Sequence, residues 1–245
     1  MNSRKLVTFP IFLAVAVSFF FGSPAHAGPP PSSSSANSEP PPAKPPEANP
    51  QIEIWTDKFA GDSLNPKAWE PFTFEGGSGG KIKVENGQLK MRGMGASRSG
   101  VRTVTAFISD HFVVEATLAK VGPAMPDPGG AGGVPIGNAI VTLLFDTSGR
   151  NRLEWILTTE GTFEAWSIVD GRGERLDNRK LGTKIPQPTL GIGRRGDDFF
   201  FLLNGQPGLQ KSIHSVPKSF HLMLYGFGSS ENNWKSVTIQ TLKQQ

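Results

Sequence analysis

Strict alternation of apolar and polar residues over short runs is the feature that most restricts the fold of this chain. From Phe112 to Leu118 every second residue is apolar, and Val113, Glu115 and Thr117 lie between. A period of two places one set of side chains against a core and the other away from it, as in a half-buried β-strand. No long segment shows the helical period. The pattern therefore predicts an all-β protein.

Asn86-Gly87 marks a tight hairpin between two such runs. Both central residues of a type I′ turn take positive φ, which Asn and Gly tolerate best. The turn would join Lys81–Glu85 to Gln88–Met94 and place Val84 opposite Leu89. One face of this hairpin would then be wholly apolar.

Further strands are predicted along residues 51–245, which we interpret as one domain. They are Ile140–Phe145, Thr189–Arg194, Phe199–Leu203, Phe220–Phe227 and Trp234–Leu242. The continuous apolar run of the first indicates a central strand covered on both faces. About a dozen short strands separated by Gly and Pro are typical of two antiparallel sheets packed face to face.

The first fifty residues are not expected to belong to this domain. Residues 1–27 have the basic start, apolar run and Ala-His-Ala ending of a secretory signal peptide, with cleavage predicted after Ala27. Residues 28–50 are rich in Pro and Ser and are predicted to be a disordered linker. We therefore expect a secreted or periplasmic protein, with no membrane insertion.

The amino-acid composition argues against several classes of protein. The chain has no cysteine, so its stability must come from core burial rather than disulfides. A net charge of +4 spread over mixed charges does not indicate a nucleic-acid binder. The charged segment 170–184 is interpreted as a solvated loop. The oligomeric state is not predicted.

The segment 153–166, LEWILTTEGTFEAW, concentrates the candidate ligand-binding residues. If Glu160-Gly161 is a two-residue turn, Trp155 lies opposite Trp166 on one face with Glu164, and Glu154 points to the other face. A longer turn would shift this register by one. The tryptophans are interpreted either as a platform for sugar rings or as core residues.

Several motifs resemble those of the concanavalin A-like lectin/glucanase superfamily, which includes laminin-G-like modules and family 16 glucanases. They are DKFAGDSLNPKAWE (57–70), VENGQLKMRG (84–93), SGVRTVTAF (99–107), FVVEATLAKV (112–121) and RRGDDFFFLLNGQ (194–206). The resemblance extends over nearly all of the predicted domain. It implies a two-sheet jelly-roll β-sandwich.

The resemblance does not extend to the catalytic residues of the family 16 glucanases. Those enzymes have a Glu-x-Asp-x-x-Glu pattern that points three acids to one face of a strand, and this sequence has no such pattern. The nearest candidate pair is Glu154 and Glu160. An enzyme of this fold, hydrolase or lyase, would instead need a cross-strand set such as Glu115, Glu154 and Arg102.

We therefore expect an exported non-catalytic module that binds a carbohydrate or another cell-surface polymer. The predicted ligand-binding residues are Trp155, Trp166, Glu164, Arg98 and Arg102. The alternatives are the glycan-active enzyme described above and an envelope scaffold that binds another protein, because laminin-G-like modules bind both proteins and sugars.

No metal site or cofactor is predicted. The histidines His111, His214 and His221 lack metal-ligand spacing, and no cysteine lies nearby. Aspartates such as Asp146 are expected in turns, where they accept local backbone hydrogen bonds. One of them could serve a structural Ca²⁺, which related jelly rolls sometimes hold, although no loop has a dedicated calcium pattern.

Overall fold

The computed structural model describes residues 51–77, 79–92, 98–121, 138–158, 161–180, 185–227 and 231–243. All of them belong to the folded unit Ala48–Gln245. The predicted signal peptide and linker lie outside the described residues. Within the described part the regular structure is entirely β, so no helix there is suited to crossing a membrane.

Sixteen strands follow one another along the described residues. They are β1 (Ile52–Asp57), β2 (Trp69–Thr73), β3 (Lys81–Glu85), β4 (Gln88–Arg92), β5 (Arg98–Thr103), β6 (Phe107–Ile108), β7 (His111–Val121), β8 (Asn138–Leu144), β9 (Arg152–Thr158), β10 (Thr162–Val169), β11 (Arg172–Lys180), β12 (Thr189–Arg195), β13 (Asp198–Leu203), β14 (Gln206–Ser212), β15 (Ser219–Phe227) and β16 (Glu231–Leu242).

These strands form two antiparallel sheets of eight. Sheet A has the order β14-β13-β12-β7-β16-β4-β3, with β1 also paired to β16. Sheet B has the order β11-β10-β9-β8-β15-β5-β2, with β6 also paired to β15. The predicted all-β, two-sheet sandwich is confirmed. The strand count exceeds the predicted dozen because short edge strands such as β6 lack an alternating pattern.

The inner faces of the two sheets bury the main hydrophobic core. In sheet A, Val114 and Leu118 on β7 and Trp234 on β16 are fully buried. In sheet B, Val141 and Leu224 are equally inaccessible. The alternation that predicted β7 thus divides its residues between core and outer surface, as expected for a sandwich.

The β3–β4 hairpin is confirmed over its described residues, whereas Gly93 and Met94, the end of the predicted second strand, lie outside them. Asn86 and Gly87 have φ values of 55° and 67°, as a type I′ turn requires. Val84 pairs with Leu89 and Ile82 with Met91, so the apolar residues share one face.

The segment 170–184, interpreted from its charges as a solvated loop, is largely a strand instead. Its β11 portion pairs with β10 through a turn at Asp170-Gly171, where both residues have positive φ. Alternation did not reveal β11 because neither of its faces is apolar. As an exposed edge strand rich in charge, β11 resists pairing with a further strand.

Sheet B also has apolar side chains on its outer face, the face turned away from sheet A. A second cluster there contains Phe74, Ile140, Leu144, Ile156, Met223 and Tyr225. This cluster explains why β8 is buried on both faces, as its continuous apolar sequence predicted.

Candidate functional site

The β9–β10 hairpin determines which candidate residues meet. Residues 159–161 connect the strands, and Phe163 pairs with Leu157. Gly161 has a φ of 78° and donates its N–H to the carbonyl of Thr158 at 3.0 Å. The N–H of Thr162 donates to Thr158 Oγ1 at 3.1 Å. The predicted two-residue turn is wrong, and the register differs by one residue. Glu160 lies outside the described residues.

This register places Trp155 in the core. Trp155 pairs with Ala165 rather than with Trp166, and it is only 4% exposed. Its indole Nε1 donates to the carbonyl of Leu202 at 2.8 Å, and its ring packs 5.5 Å from that of Phe201. Of the two interpretations of Trp155, the structure therefore supports core packing and not a ligand-binding platform.

Glu154, Glu164 and Trp166 instead share the outer face of sheet B. Glu154 pairs with Trp166, and Glu164 with Ile156. The prediction that Glu154 and Glu164 lie on opposite faces is wrong, because the longer turn shifts all of β10 by one position. Diagonal positions on adjacent strands are roughly 7–8 Å apart. The two acids are thus neighbours.

Glu154 is held by two donors. Its Oε1 accepts a hydrogen bond from the Tyr225 hydroxyl at 2.6 Å and from Arg152 Nε at 2.5 Å. Only 6% of Glu154 is exposed. The guanidinium of Arg152 also lies 4.5 Å above the ring of Phe74 and donates to the carbonyl of Gly149. A buried carboxylate left without such partners would be costly, and these two donors offset that cost.

Tyr225 reaches Glu154 across β8. Its burial, together with the charge of Glu154, raises the pKa of Tyr225 well above its ordinary value. The hydroxyl therefore remains a donor throughout the physiological range. Neither Tyr225 nor Arg152 was predicted as a site residue. The only available signal was that Tyr225 is the one tyrosine of the chain, within an otherwise apolar strand.

Trp166 and Glu164 form a second unit beside Glu154. The indole Nε1 of Trp166 donates to Glu164 Oε2 at 2.9 Å, and both side chains are partly exposed. The ring packs against the outer cluster of sheet B on one side. A Cβ on Gly173 of the neighbouring strand would come 3.4 Å from Cε3 of the ring, which is an ordinary van der Waals contact, so the indole lies close to β11.

The arginines predicted to bind a ligand lie on the same outer face of sheet B, nearer its other edge. Arg102 donates from Nε to Glu70 Oε1 at 2.7 Å and from Nη1 to the carbonyl of Thr147 at 2.9 Å. Its guanidinium also lies 4.5 Å above the ring of Phe72. These contacts give Arg102 a structural role. Arg98 is exposed at the start of β5.

Glu115 is separated from the other members of the predicted catalytic set. It lies on the outer face of sheet A, since its neighbours Val114 and Ala116 are buried in the core. Its burial raises its pKa. Glu154 and Arg102 lie on the opposite surface of the sandwich. The structure therefore does not assemble the set of Glu115, Glu154 and Arg102.

The histidines and turn aspartates have local partners. His111 contacts Asp110 and His214 contacts Asp197, each at 2.9 Å. Asp146 accepts from Ser148 and from the backbone N–H of Asn151, as predicted for a turn. In the part of the chain that the structure describes, no three His, Cys, Asp or Glu residues lie close enough to hold a metal ion.

Comparisons with known proteins relate the chain to others through structure alone. No protein-family model matches the sequence, and no curated protein matches it significantly. An endo-β-1,3-glucanase from Pyrococcus furiosus superposes with a TM-score of 0.59 at 14% identity, over 78% of this chain and 94% of that one.

Two further solved structures agree. A β-glucanase from Bacillus licheniformis gives a TM-score of 0.56 at 12% identity, over 78% of this chain and 98% of its own. A LamA variant from Zobellia galactanivorans, in complex with laminaritriose and laminaritetraose, gives a TM-score of 0.57 at 11% identity. The match covers 76% of this chain and 98% of that one. The chain therefore has the concanavalin A-like jelly-roll fold of these β-glucanases.

Proposed function

We propose that this protein is an exported, non-catalytic module that binds a carbohydrate or another cell-surface polymer on the outer face of sheet B. The observation that carries the proposal is the Trp166–Glu164 unit. The partly exposed indole offers an apolar ring for a pyranose, while the adjacent carboxylate can accept hydrogen bonds from sugar hydroxyls. Because the hydrogen bond between them fixes the indole, little side-chain entropy would be lost on binding.

The contacts of Glu154 support binding rather than catalysis. Both donors that reach it converge on Oε1, and the side chain is nearly inaccessible. A carboxylate in this position holds the side chains of Tyr225 and Arg152. It is not presented to a ligand in the way a general acid must be.

The first test is a binding screen with the purified protein. Linear β-1,3-glucans and mixed-linkage glucans are the first ligands to try, because the similar structures are β-glucanases. We expect a ligand to change tryptophan fluorescence, and Trp166→Ala to weaken binding at least about tenfold, or roughly 1.4 kcal/mol. Since the indole is only partly buried, the variant should lose less stability than the ~3–5 kcal/mol of a buried tryptophan.

Val169→Ala is the matched control, because Val169 lies on the same strand and is 60% exposed. It should bind as the wild type does. Glu115→Gln, which changes the outer face of sheet A, should also retain binding. If no polysaccharide binds, or if Trp166→Ala binds as tightly as the wild type, the proposal is wrong.

The second candidate is a glycan-active hydrolase or lyase. The specific observation in its favour is that Glu154 and Glu164 share one face on adjacent strands. Glycosidases use two carboxyl groups that flank the scissile bond, roughly 5–9.5 Å apart. Release of new sugar ends, lost in both Glu154→Gln and Glu164→Gln, would favour the enzyme over the binding module.

The third candidate, a protein-binding scaffold, depended on an exposed apolar patch around Trp155 and Trp166. Because Trp155 is buried, it cannot contribute to such a patch. Capture of a protein partner that is lost in Trp166→Ala would still support this candidate.

A further inference from the structure

A second surface of interest lies on the other sheet, at the β3–β4 end of sheet A. An open groove of about 560 Å³ there is lined by four cationic side chains, Lys81, Lys83, Lys90 and Arg92, and by one acid, Glu231. We call it the basic groove. Since the two sheets turn their outer faces in opposite directions, this surface is separate from the Trp166–Glu164 unit.

The strand register pairs like charges within the groove. Lys81 lies opposite Arg92, and Lys83 lies opposite Lys90. Like charges placed directly across from each other destabilise a sheet. Glu85 offsets part of this repulsion, because its Oε2 is 2.7 Å from Lys90 Nζ and 3.1 Å from Lys83 Nζ.

Protection of the sheet edge accounts for the two lysines on β3 but not for the two cations on β4. Lysines on β3 discourage the addition of another strand at the edge of sheet A. Strand β4 is not an edge, because it pairs with β3 on one side and β16 on the other. Lys90 and Arg92 therefore do not guard an edge, and each has an acid close by, Glu85 beside Lys90 and Glu231 opposite Arg92. The four cations of the groove still outnumber these two acids, so the groove has an excess of positive charge.

We propose that the basic groove binds a linear acidic polysaccharide, one that carries carboxylate or sulfate groups along its chain. Successive rows of cations are two residues apart on each strand, roughly 6.8 Å in an antiparallel sheet. Two rows at this spacing present a repeated positive charge to a polymer with regularly spaced anions. The groove is open, so a long chain can cross it without threading.

The composition of the groove argues against two other polyanions. None of its lining residues is aromatic, whereas single-stranded nucleic acids are held largely by stacking on aromatic rings. Anionic membranes are bound with the help of inserted apolar residues. The one large apolar residue of the groove, Ile82, packs instead against the core.

The test uses the full chain and labelled dextran sulfate, with neutral dextran of equal length as the comparison. We expect the wild type to bind only the sulfated polymer, with affinity that falls as salt rises. The double variant Lys81→Gln, Lys83→Gln should weaken this binding about tenfold. It should melt close to the wild-type temperature, because the exposed Lys83–Glu85 ion pair is lost while two like-charge contacts are removed.

The matched control is Lys58→Gln, Lys211→Gln, which removes the same charge from exposed positions elsewhere. It should bind dextran sulfate within about twofold of the wild type. Equal losses in both double variants would reveal a net-charge effect and overturn the proposal. So would tighter binding of single-stranded DNA or anionic vesicles than of dextran sulfate. Trp166→Ala should not affect this binding, so the outcome is independent of the function proposed for sheet B.

Discussion

Tyr225 gives the clearest prediction at the scale of single residues. It is the only tyrosine in the chain, so tyrosinate absorbance reports this hydroxyl alone. Because burial and Glu154 raise its folded-state pKa, we expect it to titrate well above pH 10 in the native protein. In urea-unfolded protein it should titrate near the ordinary value of about 10. The measurement is absorbance against pH in the two states.

The raised pKa of Tyr225 also makes the stability of the folded protein depend on pH. A raised folded pKa means that this group's contribution is fully present below about pH 10 and is lost as pH rises through the folded value. Tyr225→Phe should therefore lack that alkaline component of destabilisation. Glu154→Gln should lower the pKa of Tyr225 only in part, because burial is the larger cause. A native titration midpoint near 10 would contradict the buried Glu154–Tyr225 contact.

At the scale of strands and turns, two glycines are required for different reasons. Gly87 has positive φ, and an added Cβ would meet nothing within 4 Å. Gly87→Ala should therefore cost only the conformational ~1–2 kcal/mol. Gly100 lies where β5 approaches β15, and an added Cβ would overlap the carbonyl oxygen of Leu224 and approach Tyr225 Cβ to 2.5 Å. Gly100→Ala should cost about 3 kcal/mol or more. Urea unfolding of both variants measures the difference, and equal losses would refute this account.

Strands could be predicted from the sequence where their two faces differ in polarity. Contacts between side chains on different strands could not. Strand β7 alternates clearly and was found, whereas β11 is polar on both faces and was not. The faces of β10 depend on how many residues the preceding turn contains, and the segment 159–161 is compatible with more than one turn type. The partnership of Glu154 with Tyr225 joins distant parts of the chain, so no local pattern reports it. Glu154, Glu164 and Trp166 could therefore be identified as candidate residues from the sequence. Tyr225, Arg152 and the contacts between these side chains could not.

At the scale of the whole molecule, the predicted leader leads to a direct test. If residues 1–27 are a signal peptide, the exported protein begins at Gly28. Intact-mass measurement and N-terminal sequencing of protein recovered outside the cytoplasm should both identify this start. An exported protein that still begins at Met1 would contradict the prediction. Protein retained inside the cell would also exclude an encounter with cell-surface glycans.

The connection at residues 159–161 makes the proposed binding surface sensitive to a change in chain length. Deleting one residue there, with β9 unchanged, would rotate β10 by half a turn about its axis. Trp166 and Glu164 would then be driven into the hydrophobic interior, and Phe163 and Ala165 would emerge in their place. Among descendants of this protein, a single-codon deletion at this connection would thus abolish the proposed ligand surface even though every amino acid that forms it is still encoded.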